Sequence, residues 1–384
     1  MGLLSIMVDC LTKNKLSEAT FIPVSISYEK LLEANQYRRE LEGAEKKAES
    51  RRDLLSGLSI LKKRYGRVFV NFDEPISFLD FYQENQAEQV KVLAHRIISG
   101  IQRCTVITPI SIVAMALLGS RRRILSRAQL EWSVKKISNY VHIPKPSLEP
   151  VLQGLLQDKL LVSEQVGRRV YYRVPEQSAL SLDYYKNNLI HHFVADSILA
   201  TAFLVSCENH RRQVVKKSVL QKQAQILSQI FKYEFSYPAG ISFEALFNAR
   251  IQAAVDAKIM TRVQDHIRLS DSKSSEQIAF AVNLLSNFVD AYWVCSKKLE
   301  SAVSKSPTRK VLLGVLLDFL KEAALSGSSD YPEIVSKSLA DNALLLFEDL
   351  GVISWEAGKA KIKPDKKEEL KKIYKVLQDC HYGR

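Results

Sequence analysis

The segments T-F-I-P-V-S-I-S at residues 20–27 and G-R-V-F-V-N-F-D-E-P-I at residues 66–76 decide how the front of this chain reads. Ile22, Val24 and Ile26 recur at the period of two that lines one face of a β-strand, and Val68, Val70 and Phe72 do the same. Both runs are short, rich in β-branched or aromatic side chains and bounded by turn residues, as strands of an α/β core are. Pro23 has no N–H to offer a ladder, so its strand lies at an edge there or carries a bulge. With a helical pattern over residues 3–15, the N-terminal part alternates helix and strand.

After Gln86 the pattern changes to successive amphipathic helices. Ser126 and Gln129 form an S-x-x-Q capping box that opens a helix carrying Leu130, Val134, Ile137 and Val141. Three later stretches share one outline of helix, short loop and two short strands. They are V-L-Q-G-L-L-Q-D-K-L-L-V-S-E with V-Y-Y-R-V, A-V-D-A-K-I-M-T-R-V with H-I-R-L, and L-F-E-D-L-G-V-I-S-W with A-K-I-K. Each reads as the end of a winged-helix-like unit, with Gly167 and Gly358 in two of the hairpin turns. The expected class is therefore α+β and mostly helical. Residues 1–82 form a remnant of an α/β domain, and residues 83–384 a helical region with sub-units 83–180, 181–303 and 304–384. Linkers are expected at residues 304–310 and 326–332.

A chain of 384 residues with 46% hydrophobic content is long enough for two or three units with sizeable cores. The five cysteines, Cys10, Cys104, Cys207, Cys295 and Cys380, are too widely spaced for a zinc pattern or a disulfide framework, which favours a reducing compartment. The best apolar run, residues 106–118, contains Thr108 and Pro109 and is shorter than the ~20 residues of a membrane span. No signal-peptide pattern opens the chain. The 55 basic against 42 acidic residues, a net charge of +13, favour an anionic partner. The basic groups are scattered: Lys46 and Lys47 with Arg51 and Arg52, Lys62 to Arg64, Arg121 to Arg123, Arg211 and Arg212 with Lys216 and Lys217, and a tail at residues 359–375. Each has the ordinary reading of a solvated face.

The order of these features resembles the glycerol-3-phosphate acyltransferase family, in its bacterial and mitochondrial types and the related dihydroxyacetone-phosphate acyltransferases. F-I-P-V-S-I at residues 21–26 is similar to the family's fourth sequence block, and G-L-L-S at residues 2–5 with Val8 and Asp9 to the helix after the third. Thr108-Pro109, A-L-L-G-S-R-R-R, Y-Y-K-N-N-L-I-H at residues 184–191 and A-Y-W-V from Ala291 resemble its long C-terminal region. Asp73 stands where the family commonly has glycine, a change that turn geometry tolerates.

The resemblance implies a glycerol-3-phosphate 1-O-acyltransferase for phospholipid synthesis, with acyl-coenzyme A or acyl carrier protein as co-substrate and no metal or other cofactor. It implies peripheral association with the cytoplasmic face of an anionic membrane. Pro23, Ser25 and Tyr28 would shape the acyl-donor channel, while Tyr184, Tyr185, Asn187, Asn188 and His191 would form a structural brace. The family's first three blocks, H-x4-D with its histidine base and aspartate, then the phosphate-holding arginines and E-G-x-R-S-R, are not found ahead of the fourth. The chain by itself is thus expected to be incomplete and inactive, the product of a truncated reading frame or a misplaced start, and poorly soluble. A non-catalytic partner subunit is the alternative reading of such a chain. His191 and Asp196 have H-x4-D spacing, but on one long helix they stand roughly 140° apart, so the match reads as chance and no catalytic residue is assigned.

A winged-helix nucleic-acid-binding protein is the rival from another class. A groove-reading helix should carry lysine and arginine against phosphates. The helices over residues 147–158 and 337–350 each have a balance of −2, and residues 242–258 balance at zero. Nucleic acid is therefore not the expected partner. Trp132, Trp293 and Trp355 read as core or interface residues.

Overall fold

The computed structural model describes residues 2–14, 18–30, 40, 43, 66–84, 89–207, 214–237, 240–305 and 308–383. The basic clusters at residues 46–52, 62–64 and 211–212, and the middle of the expected linker at 306–307, lie outside the described residues. Two compact units emerge. The first holds the described residues of Met1–Leu32, Leu61–Thr108 and Ser236–Ser242; the second holds those of Glu33–Ile60, Pro109–Phe235 and Phe243–Arg384. Beyond Thr108 the described chain belongs to the second unit except within Ser236–Ser242.

In the first unit, α1 (Leu3–Lys13), β1 (Thr20–Phe21), β2 (Val24–Tyr28), β3 (Val68–Phe72), β4 (Ile76–Ser77), α2 (Phe78–Glu84) and α3 (Gln89–Cys104) follow in order. Val8 of α1, Phe78 and Phe81 of α2 and Leu93 of α3 make its core, which is why α3 belongs here. β1 pairs with β4 and β2 with β3, both antiparallel. Pro23 sits where the chain changes from one pairing to the other; its carbonyl accepts from the Asp73 N–H at 3.0 Å.

The face of β2 that was expected to be core is not the covered one. Pro23, Ser25 and Ser27 are buried toward α3, while Ile22 and Ile26 are 53% and 52% exposed, as are Val70 and Phe72 at 49% and 66%. The period of two allows either face inward. Here the smaller set faces α3, and Ser25 finds a hydrogen-bond partner in Thr105, the residue after that helix.

The second unit opens with α4 (Pro109–Leu118), buried from Ser111 onward. Next come β5 (Ile124–Ser126), α5 (Arg127–Tyr140), α6 (Leu148–Gln157) and the hairpin β6 (Val162–Val166) and β7 (Arg169–Arg173), in the sheet order β5-β7-β6. α7 (Glu176–Ile190) and α8 (Val194–Ser206) lead to a second round: β8 (Val214–Lys216), α9 (Lys217–Ile230), α10 (Phe243–Asp256), β9 (Met260–Val263) and β10 (His266–Leu269), paired β8-β10-β9. The first strand again lies beside the last. After α11 (Ser272–Lys305), α12 (Arg309–Leu325), α13 (Lys337–Asp349) and the hairpin β11 (Ile353–Glu356) and β12 (Lys359–Ile362) repeat the order without a leading strand among the described residues. α14 (Lys367–Tyr382) closes the chain.

Local chemistry accounts for these boundaries. Ser126 and Gln129 form the expected reciprocal cap at the start of α5. Ala357 and Gly358, both at positive φ, supply the tight turn that matches strand twist between β11 and β12. The long helix expected over residues 181–207 is instead broken at residues 191–193, where α7 and α8 meet at a 104° bend. The expected linker at residues 326–332 is exposed at Ser326–Ser328 and Asp330 but anchored at Ser329 and Tyr331, 5% and 6% exposed, where the Ser329 hydroxyl donates to Asp290 Oδ2 at 2.6 Å.

α11 runs for 34 residues and is long and apolar enough to cross a membrane, a property the sequence reading passed over. Yet 78% of its apolar window is buried, against α8, α12, α13 and α14. Its hydrophobic surface is taken up by the unit's own core.

Candidate functional site

The residues expected to line an acyl-donor channel lie in the first unit. Pro23 packs on Gly100 of α3 so closely that a Cβ at Gly100 would stand 2.6 Å from Pro23 Cγ and 2.7 Å from Asp73 Oδ2. The Thr105 hydroxyl donates to the Ile101 carbonyl at 2.7 Å, so it accepts from Ser25, whose Oγ is 3.0 Å away. Asp73 accepts from Arg103 at 2.6 Å. Tyr28, opposite Val68 at the end of β2, falls on the other strand face with Ile26. Pro23 and Ser25 are brought together; Tyr28 is not with them.

The expected brace lies on α7 and its end, in the second unit. Tyr184 and Tyr185 meet edge to face at 5.4 Å, and Asn187 Nδ2 donates to Asp183 Oδ2 at 2.8 Å. Asn188 is half-buried. His191 caps α7, with its ring centroid 4.1 Å from that of His192. Its buried Nε2 has no hydrogen-bond partner among the described residues. Burial, reinforced by the neighbouring His192, pushes His191 down to about 4, so its ring is neutral near pH 7.

No His–Asp base pair is assembled from these groups. Asp196 accepts from the Tyr140 hydroxyl and lies 4.0 Å from Arg250. Burial pushes its carboxyl above the usual range despite both partners. A second H-x4-D spacing, His266 and Asp271, escaped the sequence reading. His266 sits in β10 between Val263 and Lys216, and Asp271 caps α11 by accepting from the Ser274 N–H and hydroxyl, both at 2.8 Å. Those bonds hold Asp271 below the ordinary carboxylate range.

Other buried charges also escaped notice. Lys186, 1% exposed, lies 2.6 Å from Asp183, donates to Asn287 Oδ1 at 3.2 Å and sits over the Phe288 ring. Two charges three apart in the apolar context of α7 were the available signal. Glu234 accepts from the Tyr292 hydroxyl at 2.8 Å, and burial pushes it up to about 7. Asp183, Tyr184, Asn187, Glu234, Ser336 and Ser338 face a polar cavity of about 70 Å³. Arg123, last of the R-R-R run, pairs with buried Glu333 at 2.5 Å over the Tyr331 ring. These pairs tie helices together; none presents a nucleophile beside a base.

The family described as the C-terminal region of glycerol-3-phosphate acyltransferase matches residues 37–356. A glycerol-3-phosphate acyltransferase of Pseudomonas aeruginosa PAO1 is 25% identical over 391 aligned residues, covering 93% of this chain and 46% of the relative. That of Pseudomonas fluorescens SBW25 is 30% identical over 244 residues, 56% of this chain and 29% of the relative. That of Pseudomonas syringae pv. syringae B728a is 29% identical over 243 residues with the same coverage. The chain thus spans less than half the length of these curated relatives.

Proposed function

Because this chain belongs to the glycerol-3-phosphate acyltransferase family, matched over residues 37–356 in that family's C-terminal region, we propose that it serves acyl transfer to the sn-1 hydroxyl of glycerol 3-phosphate. The donor is a fatty acyl thioester of coenzyme A or acyl carrier protein. In that step the glycerol oxygen forms an ester bond with the acyl carbon, the C–S bond breaks, and the hydroxyl proton passes by way of a general base to the departing thiolate. The family match and the alignment spanning 93% of the chain carry this reading.

Within it, the role of Pro23, Ser25 and Tyr28 is to position the donor, while His381, bound to buried Asp290 at 2.9 Å and stacked on Trp293, ties α14 to α11. Pro23 and Ser25, braced on α3 by Gly100 and Thr105, form one wall of the acyl-donor channel, with Tyr28 beyond it. In this reading neither H-x4-D spacing supplies the base, Asp196 being held by Tyr140 and Asp271 by Ser274, and the chain alone is expected not to turn over. Its place is at an anionic membrane face, where exposed Lys359 on β12 and Lys363 just past its end each contribute on the order of 1 kcal/mol.

Incorporation of labelled glycerol 3-phosphate into lysophosphatidate, with palmitoyl-coenzyme A and anionic vesicles, tests this. We expect no product from the chain alone, and product when it is mixed with the N-terminal half of the Pseudomonas aeruginosa relative. Ser25→Leu should then shift acyl-chain preference. Product from the chain alone would refute the positioning role, and none on mixing would refute its part in acyl transfer.

A further inference from the structure

We propose that a cleft within the second unit, between α5, α8, α10 and α11, binds one fatty acid, its chain along the alanines of α10 and its carboxylate at Arg250. The cleft encloses a cavity of about 260 Å³ and is almost wholly apolar. One wall is Ala253 and Ala254 of α10 with Ala257 just past its end, whose small side chains leave a trough where larger ones would fill it. Trp132, 49% exposed, flanks the opening with Lys136 Nζ 5.4 Å from its ring.

The few polar groups orient the ligand. Arg250 Nε is buried and has no acceptor among the described residues. The rest of the guanidinium meets the Tyr140 oxygen and, at 4.0 Å, Asp196, which already accepts from Tyr140. A buried donor without an acceptor is costly, and a carboxylate would supply a charge-assisted one. Arg250 and Ala257, the residue after α10, are seven positions apart, about 10 Å along the helix axis. Glu276 lines the cleft from the first turns of α11 and would repel a carboxylate. The head therefore goes to Arg250.

Size and lining decide the ligand class. Small-molecule sites usually offer about 300 to 1,000 Å³, so this cavity suits one hydrocarbon chain and not the nucleotide of a coenzyme A thioester. Glycerol 3-phosphate, having no apolar part, has nothing to bury there. The site stands apart from acyl transfer and does not depend on the chain having that role.

The probe is dibromostearate, whose bromines quench tryptophan at short range, titrated into the full chain with stearate as competitor. We expect saturable quenching that disappears in Trp132→Phe and is displaced by stearate. Ala254→Phe, which fills the trough, and Arg250→Gln should each weaken binding about tenfold while keeping a cooperative melt. Ala253→Phe serves in place of Ala254→Phe if the latter does not fold. Quenching that persists in Trp132→Phe, binding unchanged in a folded trough-filling variant, or no saturable quenching would each overturn the proposal. No acylation is read, so this result and that of the acyltransfer assay fail separately.

Discussion

The Tyr292 hydroxyl donates to Glu234 at 2.8 Å, and burial pushes that carboxyl up to about 7 while burial elsewhere in the same unit pushes His191 down to about 4. The two shifts have opposite consequences for stability. Between the ordinary 4.5 and about 7, folded Glu234 holds a proton that the unfolded chain has released, so its contribution falls as pH rises through that window and levels off above it. Between about 4 and the ordinary 6.5, the unfolded chain holds the proton that His191 lacks, so that contribution rises with pH. Each spans about 3 kcal/mol at full extent. Glu234→Gln should therefore expose a rise in urea midpoint from about pH 4 to 6.5, and His191→Gln a fall from about pH 4.5 to 7. Profiles parallel to wild type in both variants would refute the burial of these groups.

Gly100→Ala should destabilise the first unit by about 1–3 kcal/mol, because the added methyl meets Pro23 and Asp73 at 2.6 and 2.7 Å. Gly154→Ala is the counterpart. Gly154 lies within α6 with nothing within 4 Å of a Cβ, so alanine should stabilise by about 0.5–1 kcal/mol. Denaturant titrations of the two variants should move in opposite directions.

Breaking the Arg123–Glu333 pair at one end leaves a charge buried in the second unit. Glu333→Ala should cost about 3–5 kcal/mol, while Arg123→Met combined with Glu333→Leu should recover most of it. A double variant as unstable as the single one would show that the arginine is held mainly by its stacking on Tyr331.

The outer face of β2 and β3 presents Ile26, Val68, Val70 and Phe72 as one half-exposed apolar patch. Such patches promote association. Val70→Thr with Phe72→Thr should raise the monomer fraction in size-exclusion chromatography without lowering the melting temperature, threonine being well suited to a strand.

Where a feature depended on neighbouring residues, it was legible in the sequence. The Ser126–Gln129 cap and the hairpin turn at Gly358 lie where local chemistry puts them. The break at His191–Phe193 was not legible, because the apolar pattern continues through it. The orientation of β2 was hidden because Ser25 can go inward only given Thr105, 80 positions away. Likewise Lys186 and Arg123 are affordable in a core only through Asn287 and Glu333, 101 and 210 residues on. The cleft on α10 had no signature at all: alanines on a helix look the same whether they are covered or open.

The packing of α11 sets an order of events during synthesis. Of the four helices that cover it, α12, α13 and α14 follow it in the chain, ending at Tyr382. At about 5 to 20 residues per second, the ribosome needs roughly 4 to 15 s to make them. For that interval the most membrane-like helix among the described residues lacks most of its final shelter, open to chaperones or to the translocation machinery, and the three C-terminal helices decide its fate by arriving.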